Sequence, residues 1–176
     1  MEAIIADNLH CIEQAIGLLG GLDERLYTFA SSQTLGASIG GHIRHNIDHY
    51  ESFLNRRAPD RIDYERRKRD PVVESDSTRA AAKFRSIQIS LQNIETAHLD
   101  RPIEVKIETP GDAPGSQWAP TTERRELQFL LSHSVHDYAL IAMICRLHHT
   151  AIPENFGVAP STLKHRQLSE TAECVQ

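Results

Sequence analysis

Three observations predict an all-α chain folded as a four-helix bundle. Four long stretches repeat apolar residues at three- and four-residue intervals, prolines and glycines cluster in a few places that punctuate those stretches, and a period of two occurs once, in a short segment before the last helix. With 176 residues the chain has room for one well-buried core, so it is read as a single domain, with the bundle in residues 1–150 and a wrapping tail in residues 151–176.

The first stretch runs from about Glu2 to Phe29 on Ile4, Ile5, Leu9, Ile12, Ile16, Leu19, Leu22 and Leu26, with a kink expected at Gly20-Gly21. After the polar break Ser31-Ser32-Gln33, a second helix over Leu35 to Arg56 carries the stripe Ile39, Ile43, Ile47, Tyr50, Phe53 and Leu54. Ala58 to Glu74 is charged and bounded by prolines, which reads as a long, solvated crossover between helices two and three. The third helix starts near Ser75 or Ser77, either of which can cap it, and continues through Ala81, Phe84, Ile87, Leu91 and Ile94 to about Ala97. Beyond Pro102 the alternation of Ile103, Val105 and Ile107 with Glu104, Lys106 and Glu108 predicts a small β-hairpin-like insertion. It turns through Pro110 to Ser116 and returns on Gln117-Trp118-Ala119. Thr121 or Thr122 then opens the fourth helix, with Glu123 in its favourable first turn, and this nearly all-apolar helix reaches about His149.

A formal charge of -5 lacks the surplus of Lys and Arg that phosphate backbones demand, so no nucleic-acid partner is expected. The longest strongly apolar run, Tyr138 to Cys145, is far too short to span a membrane, and the acidic, interrupted N-terminus does not read as a signal peptide. Cys11, Cys145 and Cys174 are an odd number at wide spacing, which predicts free thiols and a cytoplasmic location. Exposed bundle faces leave room for a homodimer.

The histidines concentrate the chemistry. Gly-His-Ile-Arg-His-Asn-Ile-Asp-His-Tyr on the second helix sets His42, His45 and His49 at offsets of three and four, on one narrow face. Ser-His-Ser-Val-His-Asp-Tyr on the fourth helix sets His133 and Asp137 one turn apart, with His136 one step round. Two side chains a turn apart bend to one ion and a facing helix supplies a third ligand, leaving positions open. Two histidines with one carboxylate suit iron(II), and zinc accepts the same donors. A helical wheel sets His42 and His49 closer to the Ile43, Tyr50 and Phe53 stripe than His45. A hemerythrin-like di-iron centre would need more carboxylates: Asp48 and Glu51 are the nearest, and the first and third helices carry no matching pair.

The segments Ser-Ile-Gly-Gly-His-Ile-Arg-His-Asn-Ile-Asp-His-Tyr and Leu-Leu-Ser-His-Ser-Val-His-Asp, with the order of four helices, resemble the DinB-like (DNA-damage-inducible, YfiT-type) metal-binding bundle proteins. The resemblance implies one divalent metal ion (zinc, nickel or iron) held by His45, His133 and residue 137. Here Asp137 stands where the family has histidine, and neighbouring His49 or His136 can substitute or join. It also implies a small-molecule substrate, with thiol-dependent S-transfer using a low-molecular-weight thiol, or hydrolysis, as the class of chemistry. A metal- or small-ligand-binding stress-response module without turnover is the alternative. No separate general base stands out in the sequence. Asp63, Tyr64 and Arg66 of the crossover either fold over the metal as acid, hydrogen-bond donor and anion anchor or, the preferred reading, lie in a solvated loop, and the run Arg66 to Arg69 either attracts a phosphate or an anionic thiol cofactor or, as preferred, is neutralised by Asp63, Glu65 and Asp70.

Overall fold

The computed structural model describes residues 1–31, 34, 36–56, 58–106 and 118–173. Among them are seven α-helices and a small three-stranded sheet, so the chain is mostly helical. Helix α1, Ala3–Gly21, buries Ile5, Asn8, Ile12, Ala15 and Leu19 at alternating intervals of three and four, as a one-faced helix must. The expected kink at its glycines is a full break. Leu22 is extended, and the Asp23 carboxylate accepts the Arg25 amide to start a second short helix, α2, Glu24–Thr28. Two poor helix formers followed by a good N-cap make stopping and restarting cheaper than bending.

Helix α3, Ile39–Leu54, begins at the first residue of the hydrophobic stripe, where the Ser38 hydroxyl accepts the Gly41 amide as its cap. The expected start at Leu35 lies outside the described residues. A short α4, Pro71–Ser75, is capped by Asp70. Helix α5, Ser77–Gln92, is capped by the carboxylate of Asp76, not by Ser75 or Ser77, while the Ser77 hydroxyl donates to Glu24. This helix stops five residues short of Ala97 because Asn93 ends it and Thr96–His98 forms a 3-10 turn. Helix α6, Glu123–Leu147, is capped by the Thr122 hydroxyl, with Glu123 and Glu126 in its first turn, as expected. The four long helices enclose one core: α1 packs on α5 and α6, and α3 packs on the same two.

The sheet departs from the expected hairpin. Strand β2, Pro102–Lys106, pairs antiparallel with β3, Ala119–Thr122, and also parallel with β1, Arg61–Asp63, which comes from the crossover. Residues 107–117, including the expected turn at 110–116, lie outside the described residues. The crossover is therefore not a solvated loop: Ile62 and Tyr64 are both fully buried, one residue apart, in the period of a strand. Arg61 faces Glu104 in register and donates to it at 2.8 Å. The chain after α6 folds back so that the Phe156 ring stacks on Tyr138 at 4.8 Å, and residues 160–173 form a further helix, α7, whose described side chains are exposed or half-buried. Among the described residues no helix is long and apolar enough to cross a membrane.

All four tyrosines are buried, and three spend their hydroxyls on named acceptors. Tyr27 donates to the Val73 carbonyl, Tyr50 to Asn8 Oδ1 and Tyr64 to Glu126 Oε2. Each bond ties two elements together at a point that would otherwise bury an unpaired hydroxyl.

Candidate metal centre

The periodicity of α3 sets His45 and His49 one turn apart, and the packing of α3 on α6 brings His133 opposite them. One ring nitrogen from each of the three lies within 4.8 Å of the others. The ring centroids are 4.4 Å apart for His45 and His49, 4.5 Å for His49 and His133, and 4.9 Å for His45 and His133. Such a spread is what three imidazoles need to close on an ion at about 2.0–2.1 Å per nitrogen after small rotations.

Hydrogen bonds assign the tautomer of His49. Its Nδ1 lies 2.8 Å from the His45 carbonyl, which only accepts, so Nδ1 carries the proton and Nε2 keeps its lone pair. The Arg67 guanidinium, a donor only, sits 3.1 Å from that Nε2. An imidazole pinned through one nitrogen to a backbone carbonyl, with the other presented to a cluster, is the arrangement that orients metal-binding histidines. His133 adds the sharper sign. Its Nε2 is buried and has no hydrogen-bond partner among the described residues. A buried nitrogen without a partner costs free energy that coordination would recover. The residues therefore fit a divalent ion with nitrogen donors.

Electrostatics prepare the same state. Burial lowers His45 from the ordinary 6.5 to about 4, Asp137 pulling the other way, and lowers His49 to about 3. Burial also holds His133 below its ordinary value. All three imidazoles are neutral at pH 7, the form that binds metal.

Asp137 sits beside this trio and outside it. Its Oδ1 lies 3.2 Å from His42 Nδ1, its Oδ2 accepts from Asn46 at 3.2 Å, and the same Oδ2 is 3.8 Å from His133 Nε2. Burial opposes its ionisation, but the hydrogen bonds from His42 and Asn46 outweigh that, so its carboxyl titrates below the usual range. Of the sequence-predicted ligands, the geometry thus brings His45, His49 and His133 together and sets Asp137 next to them. His136 is exposed and stands outside the cluster. His42, on the same face of α3, orients Asp137.

Several participants carry no signal that composition or spacing could expose. Asn46, buried on α3, reaches both Asp137 and the Ser134 hydroxyl, which joins it to Tyr50 and Asn8 in a buried polar chain. Tyr64 of the crossover roofs the trio, its ring 5.4 Å from His49 and 5.3 Å from Phe129, and Phe129 stacks on His133. For Tyr64 a signal existed, the alternation Ile62-Asp63-Tyr64, but it is three residues long and set among charges.

A pH prediction follows from the lowered histidines. The unfolded chain takes up protons near 6.5 while the folded imidazoles resist until about 4 and 3, so stability is full above 6.5 and is lost as pH falls from there toward those values. Between pH 7 and 4.5 the metal-free protein is expected to lose on the order of 2 kcal/mol from this cluster, after allowance for solvent screening. Urea unfolding should show that slope in the native sequence and a flatter one in His49→Ala.

Comparison with known proteins places the chain in no family. No family model matches it, and no solved structure matches it. Over 104 residues it is 29% identical to FK506-binding protein 5 of Rhizopus delemar (strain RA 99-880 / ATCC MYA-4621 / FGSC 9543 / NRRL 43880), a match that covers 59% of this chain and 27% of that protein.

Proposed function

We propose that this chain is a DinB-like metal-binding protein, a four-helix bundle of α1, α3, α5 and α6 that holds one divalent ion through His45, His49 and His133. The observation that carries the reading is the convergence of three neutral imidazoles, one of them with a buried nitrogen that has no hydrogen-bond partner among the described residues. The pairwise packing of the four long helices supports the architecture. Three nitrogen donors leave a coordination position open, and an ion bound there supplies Lewis acidity that makes a thiol or water a nucleophile near neutral pH. Around it the chain's own residues divide the work. His49 and His133 are locked in orientation by the His45 carbonyl and the Phe129 ring, Asp137 places negative charge beside the cationic centre, and Tyr64 with Phe129 excludes water from one side. The activity proposed is thiol-dependent S-transfer or hydrolysis on a small molecule in the cytoplasm.

One observation favours a second reading, a metal- or small-ligand-binding module without turnover. Asp137, the carboxylate beside the trio, already has both oxygens hydrogen-bonded and is poorly placed to act as a general base. Purified protein is expected to carry one zinc, nickel or iron per chain by elemental analysis. The loaded protein should then turn over electrophilic acceptors with at least one low-molecular-weight thiol. One metal per chain with no turnover across the panel would favour the binding module, and no metal under any loading condition would end the first reading and leave of the second only the binding of a small ligand.

A further inference from the structure

A cleft of about 350 Å³ opens beside the histidines and shares Arg67 with them. Its charges do not cancel. Asp48 and Glu51 line it, but Arg44 and Lys83, which do not, engage them at 2.9 and 2.5 Å. Arg56 and Arg61 line it too and are engaged by Glu123 and Glu104. What remains facing the cavity is Arg66, Arg67 and Lys68 against Asp63. Among the described residues Arg66 makes no hydrogen bond or ion pair and Arg67 has its side-chain hydrogen bond with the neutral His49, while Lys68 lies 4.0 Å from the already engaged Glu51 and Asp63 accepts a backbone amide. Of the carboxylates expected to neutralise the run, Asp70 caps α4 and Asp63 accepts the Glu65 amide. Trp118, with the Arg61 guanidinium 5.2 Å from its ring, offers a flat apolar wall.

Arg67 is also the residue that caps the His49 lone pair. Nε2 of His49 cannot accept from Arg67 and bind an ion at once. Engaging His49 therefore releases a guanidinium that already lines the cleft, next to the unpaired Arg66. Two guanidiniums lining one cavity suit an oxyanion, since each can hold one bidentately.

We infer that the cleft is a subsite for a small organic anion, bearing a carboxylate or phosphate, and that Arg67 couples it to the histidines: it caps His49 when the cleft is empty and turns to the anion when His49 is engaged. The coupling to metal rests on the reading proposed above. The anion subsite does not, since the metal-free protein tests it. By linkage, metal and anion must raise each other's affinity by the same factor.

The experiment is titration calorimetry with two probes, succinate and inorganic phosphate, on metal-free protein. His49→Ala, which frees Arg67 without any metal, should bind the preferred probe about 5-fold or more tightly than the native sequence. Arg66→Ala, an exposed change that leaves the fold intact, should weaken binding about tenfold. Whichever probe binds more tightly identifies the head group. Equal affinity in Arg66→Ala and the native chain, or no gain in His49→Ala once circular dichroism shows it folded, overturns the subsite. In a second arm, zinc affinity measured by chelator competition should rise with the probe in the native chain and not in Arg67→Ala. An equal rise in Arg67→Ala would mean the anion binds the ion directly, which overturns the coupling. A native chain that binds no zinc would sink the metal reading while the metal-free comparison still decides the subsite.

Discussion

Replacing His49 with alanine is expected to abolish metal retention, lowering affinity by at least about 100-fold, and His45→Ala and His133→Ala should do the same. Each removes one of three nitrogens that lie within 4.8 Å of one another, and two imidazoles cannot hold an ion against dilution as three do. His136→Ala is the control: that ring is exposed and outside the cluster, so metal content should be unchanged. Asp137→Asn is the informative intermediate. An amide keeps the shape of the carboxylate but not its charge, and one end of it can no longer accept from both His42 and Asn46. Affinity should fall about 10-fold, the size of an orienting contact and not of a ligand. Equilibrium dialysis followed by elemental analysis separates these outcomes. Full retention in His49→Ala alongside complete loss in Asp137→Ala would move the third ligand position to Asp137.

That contrast also locates what the sequence could reveal. Three- and four-residue spacing on α3 and α6 was enough to nominate His42, His45, His49, His133 and Asp137, with His136 one step round, because a helix turns spacing into direction. Which of them meet is decided by the rotation of α3 about its axis against α6, and a period of 3.6 leaves that rotation open by roughly the width of one side chain. The wheel favoured His42 and His49 and the family pattern favoured His45. The packed helices bring His45 and His49 together with His133 and set His42 against Asp137. The long helices were legible because each buries a full stripe. The crossover was not, since Ile62 and Tyr64, two of its three buried residues, sit among charges whose partners lie in distant segments: Arg61 with Glu104, Arg67 with His49 and Lys68 near Glu51. Charge reads as solvation until such partners are known. Helix α7 was missed for the opposite reason: its described side chains bury little, so no stripe announces it.

Gly40→Ala is expected to be strongly destabilising, costing about 3 kcal/mol or more in urea unfolding. By helix propensity alone the change should help, by about 1 kcal/mol, since Gly40 lies in the first turn of α3. Contact overrides it. A Cβ there would overlap the backbone carbonyl oxygen of Glu74 and come within 3.0 Å of Tyr27 Cε1. Neither neighbour can retreat freely. The carbonyl belongs to α4, whose Val73 carbonyl accepts the Tyr27 hydroxyl at 2.6 Å, and the Glu74 side chain is tied back to α3 by Arg44 at 2.7 Å. The added methyl must therefore push α3 away from α2 and α4 together. Gly41→Ala isolates the effect, because its Cβ would meet only the Ser38 hydroxyl at 3.4 Å and the Glu74 carboxylate at 3.7 Å, so stability should hold or rise slightly. Equal stability in both variants would show that α3 and α4 do not approach as closely as described. Because His42, His45 and His49 ride on the displaced helix, Gly40→Ala should also weaken metal binding without touching a ligand, and Gly41→Ala should not.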